Sequence, residues 1–210
     1  MISNSREYQD FFILSVLDNK RNGTYIEIGA ATPRQDNNTY LLETDFDWTG
    51  VSVEWHEYMS REFNQTRRNP CLQLDATKIP YTTLFEHYNM PKHIDYLQLD
   101  IDPPANTFRA LNNIDFTKYS FGVITYEHDW YAGGDQERIE SRRIIESHGY
   151  TRVVSDVMHE GVRFEDWYVN EKYMPNDNWK LFRGENIELC PGIADPKYMD
   201  LFKKLLKEPK

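Results

Sequence analysis

GTYIEIGAATP, Gly23 to Pro33, is the stretch on which the reading of the chain turns. Tyr25-Ile26-Glu27-Ile28 is a short apolar strand that runs into a turn of small residues. Such a turn lets a ligand approach the backbone closely. It holds a single glycine, Gly29, followed by Ala30, and a carboxylate, Glu27, stands just ahead of it. A pyrophosphate site would show G-x-G-x-x-G and would be repelled by that acid. The ligand of this turn is therefore expected to carry positive charge.

Outward from that strand, short β-rich runs alternate with helical patterns. Strands are expected over Thr24–Ile28, Gly50–Glu54, Cys71–Leu74, Ile94–Asp100, Phe121–Glu127, Thr151–Asp156 and Trp167–Asn170. Helices are expected over Ser5–Leu17, with Ser5 as N-cap, and over Asn37–Thr44, Tyr58–Arg68, Tyr81–Tyr88, Ala105–Asn112 and Gln136–His148. Alternation of this kind predicts an α/β fold: a Rossmann-like, doubly wound, mostly parallel seven-stranded sheet with helices on both faces. Residues 1–172 form the predicted domain. Residues 173–210, rich in Pro, Asn and Asp and then basic over Lys197–Lys207, read as a C-terminal extension.

Bulk composition narrows the function. With 210 residues, one domain is the default, and 40% hydrophobic residues supply a core for it. A formal net charge of −10 argues against a general nucleic-acid binder. Two cysteines, Cys71 and Cys190, make neither a disulfide framework nor a zinc set. No apolar run is long enough for a membrane span and the N-terminus lacks a signal-peptide pattern, so a soluble, cytoplasmic protein is expected.

Doubly wound sheets bind ligands beyond the carboxyl ends of their strands. Here Glu54, Asp75, Asp100 and Glu127 end successive strands, and Glu27 sits inside the first. A single acid at such a place is commonly a cap or a turn former. Five on one edge fit a cationic, hydroxyl-bearing ligand without phosphate, and S-adenosylmethionine has that chemistry. Glu27 would face its ammonium or sulfonium, and Glu54 would accept from the ribose hydroxyls. Trp55 would pack on the adenine, with core packing as its alternative. Asp75 and Ala76 would meet the adenine edge. Gly29 and Ala30 would form the turn, and Asn38 would reach the methionine end while Asn37 caps the next helix.

The stretches YIEIGAATPRQDNNTYLLE, WTGVSVEW, IDYLQLDID, ALNNIDFTKYSFGVITYEHD, IIESHGYTRV and FEDWYV together resemble the FkbM-like class I S-adenosylmethionine-dependent methyltransferases over roughly Glu7 to Val169. That resemblance implies O-methylation of a hydroxyl on a sugar or another small metabolite. The family usually has aspartate where Glu27 stands and D-x-E-G where this chain reads Asp100-Ile101-Asp102-Pro103-Pro104.

A hydroxyl acceptor must lose a proton, so a base or a metal is needed. His128 and Asp100 are the expected catalytic residues. Asp100, Glu127 and His128 are also the expected ligands if a divalent cation such as Mg2+ takes part. Asp102, Asp129, Trp130 and Tyr131, the last three in the loop DWYAGGD, are expected against the acceptor. Two other readings are a non-catalytic binding or assembly module on the same fold, and a nicotinamide-dependent oxidoreductase. The absent G-x-G-x-x-G argues against the second.

Overall fold

At the centre of the sheet lies β1, Thr24–Ile28, with all but its first residue buried. The computed structural model describes residues 1–208. After β1 come α2 (Tyr40–Phe46), β2 (Thr49–Glu54), α3 (Glu57–Thr66), β3 (Cys71–Gln73) and α4 (Tyr81–His87). They are followed by β4 (His93–Leu99), α5 (Pro104–Asn112), β5 (Ser120–Glu127), a single turn α6 (Trp130–Gly133), α7 (Asp135–Ser147), β6 (Thr151–His159) and β7 (Val162–Val169). The chain opens with α1 (Gln9–Val16) and closes with β8 (Gly184–Glu188) and α8 (Pro196–Leu205).

The strand order is β3-β2-β1-β4-β5-β7-β6-β8. β1 to β5 are mutually parallel, and β7 runs antiparallel to both β5 and β6. The order reverses between β1 and β4, which opens a crevice at their carboxyl ends. One core cluster joins α1, α2 and α8 on one face; the other joins α4, α5 and α7 on the opposite face. The doubly wound α/β fold read from the sequence is present. No described helix is long and apolar enough to cross a membrane.

The sheet has eight strands where seven were expected. β8, GENIE, pairs parallel with β6 at the sheet edge and is half-exposed, so its sequence carries no apolar run. β7 begins at Val162, five residues before the expected start. Its first half contains Glu165 and Asp166, buried acids that break the apolar pattern. β6 continues past Asp156 through an irregularity at which Asp156 adopts φ 57°. α1 starts at Gln9 rather than Ser5: Asp10 accepts from the backbone N–H groups of Asn4 and Phe11, while the Ser5 hydroxyl accepts from that of Asp10.

All eight residues of α1 are buried, and a helix buried on every side needs a cover on its outer face. Residues beyond 172 supply it. Phe202 of α8 lies 5.8 Å from the Phe11 ring, and Phe182 lies 5.4 Å from Phe12. At the end of β8 the Glu188 carboxylate accepts from the backbone N–H groups of Glu160 and Gly161, holding the tip of the β6–β7 hairpin.

Candidate active site

Two cavities open at the carboxyl edge. The first, of about 610 Å3, lies over β1, β2 and the segment after β3. Gly29 shapes its floor with φ +90°; a Cβ there would stand 1.6 Å from the Asp100 carbonyl oxygen, so only glycine fits. Ala31, at φ 48°, continues the turn and lines the cavity. Glu54 closes the end of β2, its two oxygens accepting from the backbone N–H groups of Ala31 (2.9 Å) and His56 (2.7 Å). Each oxygen keeps a second lone pair for a ligand. Trp55 is 63% exposed at the mouth, an unpartnered flat surface. Asp75 and Ala76 line the far end. Asp75 also accepts from Thr77 and pairs with Lys78 at 2.8 Å; Lys78 and Thr77 hold its carboxyl down to about 2.

Ala30 of the turn and Glu27 just ahead of it line neither cavity. Ala30 packs with Phe63 and Cys71. Glu27 accepts the Ser52 hydroxyl at 2.6 Å and leaves its second oxygen without a hydrogen-bond partner. Burial pushes its carboxyl up to about 7, against the opposing pull of Arg67. Arg67 is buried, pairs with Glu43 at 2.8 Å and donates to the Pro33 carbonyl at 2.8 Å and to Asn37 at 3.1 Å. Asn37 in turn donates to the Ala30 carbonyl at 3.0 Å. The turn is thus braced from below by Arg67 and Asn37. Asn37 is committed there, which is why α2 begins only at Tyr40.

The second cavity, of about 560 Å3, meets the first at Ala31 and Asp100. Its walls come from the N-terminal segment (Arg6, Glu7, Gln9), the stretch after β1 (Asn38 among it), the end of β5 (Glu127), Tyr131, and the β6–β7 hairpin (His159, Glu160). Asp100 stands where the two meet. Burial, with Asp129 and Asp102 close by, pushes its carboxyl up to about 8. Asp129 is likewise raised to about 6 by burial and by Asp102, and its Oδ1 is buried without a partner. Glu165, next to Glu127 in the β5–β7 pairing, is driven well above the carboxylate range by burial. Asp102 lines the first cavity rather than the second.

His128 requires a correction. It is fully buried, lines neither cavity, and cannot reach an acceptor as a base. Its Nε2 lies 3.4 Å from Asp156 and 3.7 Å from Asp166, and its Nδ1 accepts from the Trp130 N–H. Burial disfavours its charge, but the two aspartates outweigh this and hold its pKa above the ordinary value. Arg138 and Arg142 complete the cluster: Arg142 lies 2.6 Å from Asp166 and 3.0 Å from Asp156. The expected metal set is not assembled either. Among the described residues, donor atoms of Asp100, Glu127 and His128 do not converge within 4.8 Å. Trp130 also turns away, donating to Asp135 at 3.0 Å under the Arg163 guanidinium. Tyr131, 60% exposed, does line the second cavity.

Sequence reasoning missed Glu7, His159 and Arg67. None lies at the carboxyl ends of β1 to β5, the edge at which such sheets bind their ligands. Glu7 and His159 are 152 residues apart, so no local pattern in the sequence points to their contact.

No protein-family model matches the chain, and no curated protein matches it. Solved structures do match. An rRNA methylase from Streptococcus thermophilus is 12% identical, with 81% of this chain and 98% of that one covered at a TM-score of 0.52. A TehB-like SAM-dependent methyltransferase from Corynebacterium glutamicum is 11% identical, with 78% and 88% covered at a TM-score of 0.51. The chain has a methyltransferase fold. At such identities the likeness is one of architecture, and this fold places both cavities at the edge where β1 and β4 part.

Proposed function

We propose that the chain is an S-adenosylmethionine-dependent O-methyltransferase, FkbM-like in type, acting in the cytoplasm on a hydroxyl of a sugar or another small metabolite. The observation that carries this reading is the pair of cavities joined at Asp100. The first has the size of a small-molecule pocket and presents a carboxylate, an exposed indole and an acid-capped turn in sequence. Glu54 would accept from the ribose, Trp55 would cover the adenine, and Asp75 with the Ala76 backbone would meet its edge. When bound, S-adenosylmethionine supplies a methyl group on a positive sulfonium. That charge would draw Asp100, whose carboxyl burial and neighbouring acids have raised, back towards its ionised form, and it would act on the raised Glu27 in the same sense.

The second cavity would take the acceptor. Asp36, Glu127 and Glu160 outnumber Arg6 in its lining, so phosphorylated or carboxylated acceptors are disfavoured and neutral ones are admitted. Tyr131 offers a face for a sugar ring, and Asn38 offers a hydrogen-bonding edge. Positioning of the hydroxyl in line with the methyl is the main contribution required of these walls.

The test is a calorimetric titration with S-adenosylhomocysteine and with NAD, followed by transfer of labelled methyl to unphosphorylated and phosphorylated monosaccharides. Micromolar binding of S-adenosylhomocysteine alone, with transfer only to neutral acceptors, supports the reading. Equal binding of NAD overturns it. Binding without any transfer leaves the non-catalytic module.

A further inference from the structure

The second cavity is lined by one histidine, and it is not His128. His159, the last residue of β6, shares that cavity with Asp100 and Glu127. Its Nδ1 lies 2.6 Å from Oε1 of Glu7, and Glu7 is only 1% exposed. Burial raises the Glu7 carboxyl, while Arg6 and His159 pull it down; in its ionised form it can only accept, which puts the hydrogen on Nδ1 and leaves Nε2 its lone pair. Glu7 is itself fixed. Its backbone N–H donates to Gln9 at 3.0 Å, and the Gln9 amide donates to Glu165 at 3.0 Å. The Trp167 indole donates to the same Glu165 oxygen at 2.6 Å. A line of buried hydrogen bonds therefore runs from the core to one imidazole nitrogen and leaves the other free.

The remaining charges around this histidine come from four directions. Arg6 lies 3.5 Å from Glu7 on the N-terminal side. Glu160 and the Cys190 thiol each bring an atom within 4.8 Å of an imidazole nitrogen. Glu188 lies behind the hairpin, and Asp36 stands across the cavity.

We propose that His159 is the general base of the methyl transfer and that Glu7 is its positioning residue. The proposal rests on the reading of the second cavity as the acceptor site. Nε2 takes the hydroxyl proton as the acceptor oxygen forms its bond to the methyl carbon. The sulfur–methyl bond breaks and its electron pair stays on sulfur. The proton ends on Nε2, and the Glu7 carboxylate balances the new imidazolium charge. This arrangement places a base in the second cavity, which His128 does not line.

Two readouts test the proposal on the full chain. The first is histidine-selective 15N NMR of wild type and Glu7→Gln. Wild-type His159 is expected as the Nδ1–H tautomer, and Glu7→Gln is expected to weaken that preference. The second is methyl transfer to neutral monosaccharides as a function of pH. His159→Gln should lower kcat by about 10²–10⁴-fold and remove the acidic limb, with S-adenosylhomocysteine affinity within about twofold of wild type. Glu7→Gln should lower kcat in step with the loss of the Nδ1–H tautomer, with S-adenosylhomocysteine affinity held. Transfer by His159→Gln within threefold of wild type, or an Nε2–H tautomer, would overturn the assignment. A wild type that binds S-adenosylhomocysteine but methylates no member of the panel removes the acceptor-site reading itself, and the base falls with it. A wild type active on the panel beside an equally active His159→Gln removes only the base.

Discussion

Asp156 and Asp166 are held by Arg138, Arg142 and His128, and these partners keep both carboxyls far below their usual range in spite of burial. A short way along the same sheet edge, Asp100, Asp129 and Glu165 face other acids, and burial pushes all three up. Where a buried carboxylate serves to fasten β6 and β7 to α7, the chain supplies an arginine for it. Where carboxylates are left to crowd one another, the unfavourable energy stays in the folded protein, and at Asp100, the one of the three that lines the cavities, a cationic ligand can relieve it. The contrast separates scaffold from site more sharply than the count of acids does.

The largest way to break this contrast is Arg142→Ala. It leaves Asp166 buried without its closest partner and should cost about 3–5 kcal/mol in urea denaturation. A loss below 1 kcal/mol would mean that the cluster does not fasten the sheet. Next is Glu54→Ala at the open end. It should weaken S-adenosylhomocysteine by about 1.5–3 kcal/mol, tenfold or more, when read by calorimetry. Unchanged affinity would show that the ligand does not lie in the first cavity.

Asp100→Asn sharpens the comparison through pH. A carboxyl raised in the folded state contributes stability below its unfolded value, and this is lost as pH rises towards about 8. The variant should therefore match wild type near pH 4 and exceed it by about 1–3 kcal/mol at pH 8.5, a modest figure because the group opens onto a cavity. A melting-temperature series across that range checks the sign. Smallest is Trp55→Ala, expected to cost about 1 kcal/mol of S-adenosylhomocysteine affinity with no change in melting temperature, since the ring is exposed. A destabilised variant would point to core packing instead.

The central sheet was legible because β1, β4 and β5 are buried on both faces and read as apolar runs. The acids closing β2, β4 and β5 were legible for the same reason: each ends such a run. The later strands were not, since Glu165 and Asp166 interrupt β7 and β8 is an exposed edge. Nor was the choice between the two histidines. His128 follows a parallel strand, the favoured place, but three-dimensional packing surrounds it with two aspartates. His159 gains its carboxylate from residue 7, and spacing along a chain carries no trace of so distant a contact.

The Glu188 clamp on the β6–β7 hairpin bears on how such a protein can change over evolutionary time. Residues 159–164 form one wall of the second cavity, yet they contribute neither to the parallel strands nor to the Gly29 turn. With the hairpin tip anchored from β8, exchanges at Glu160, Val162 or Phe164 alter the shape of that wall while its backbone stays in register. New acceptors can then be tried by drift at residues 160–164, next to a fixed His159, and the half of the molecule that meets the methyl donor is inherited unchanged.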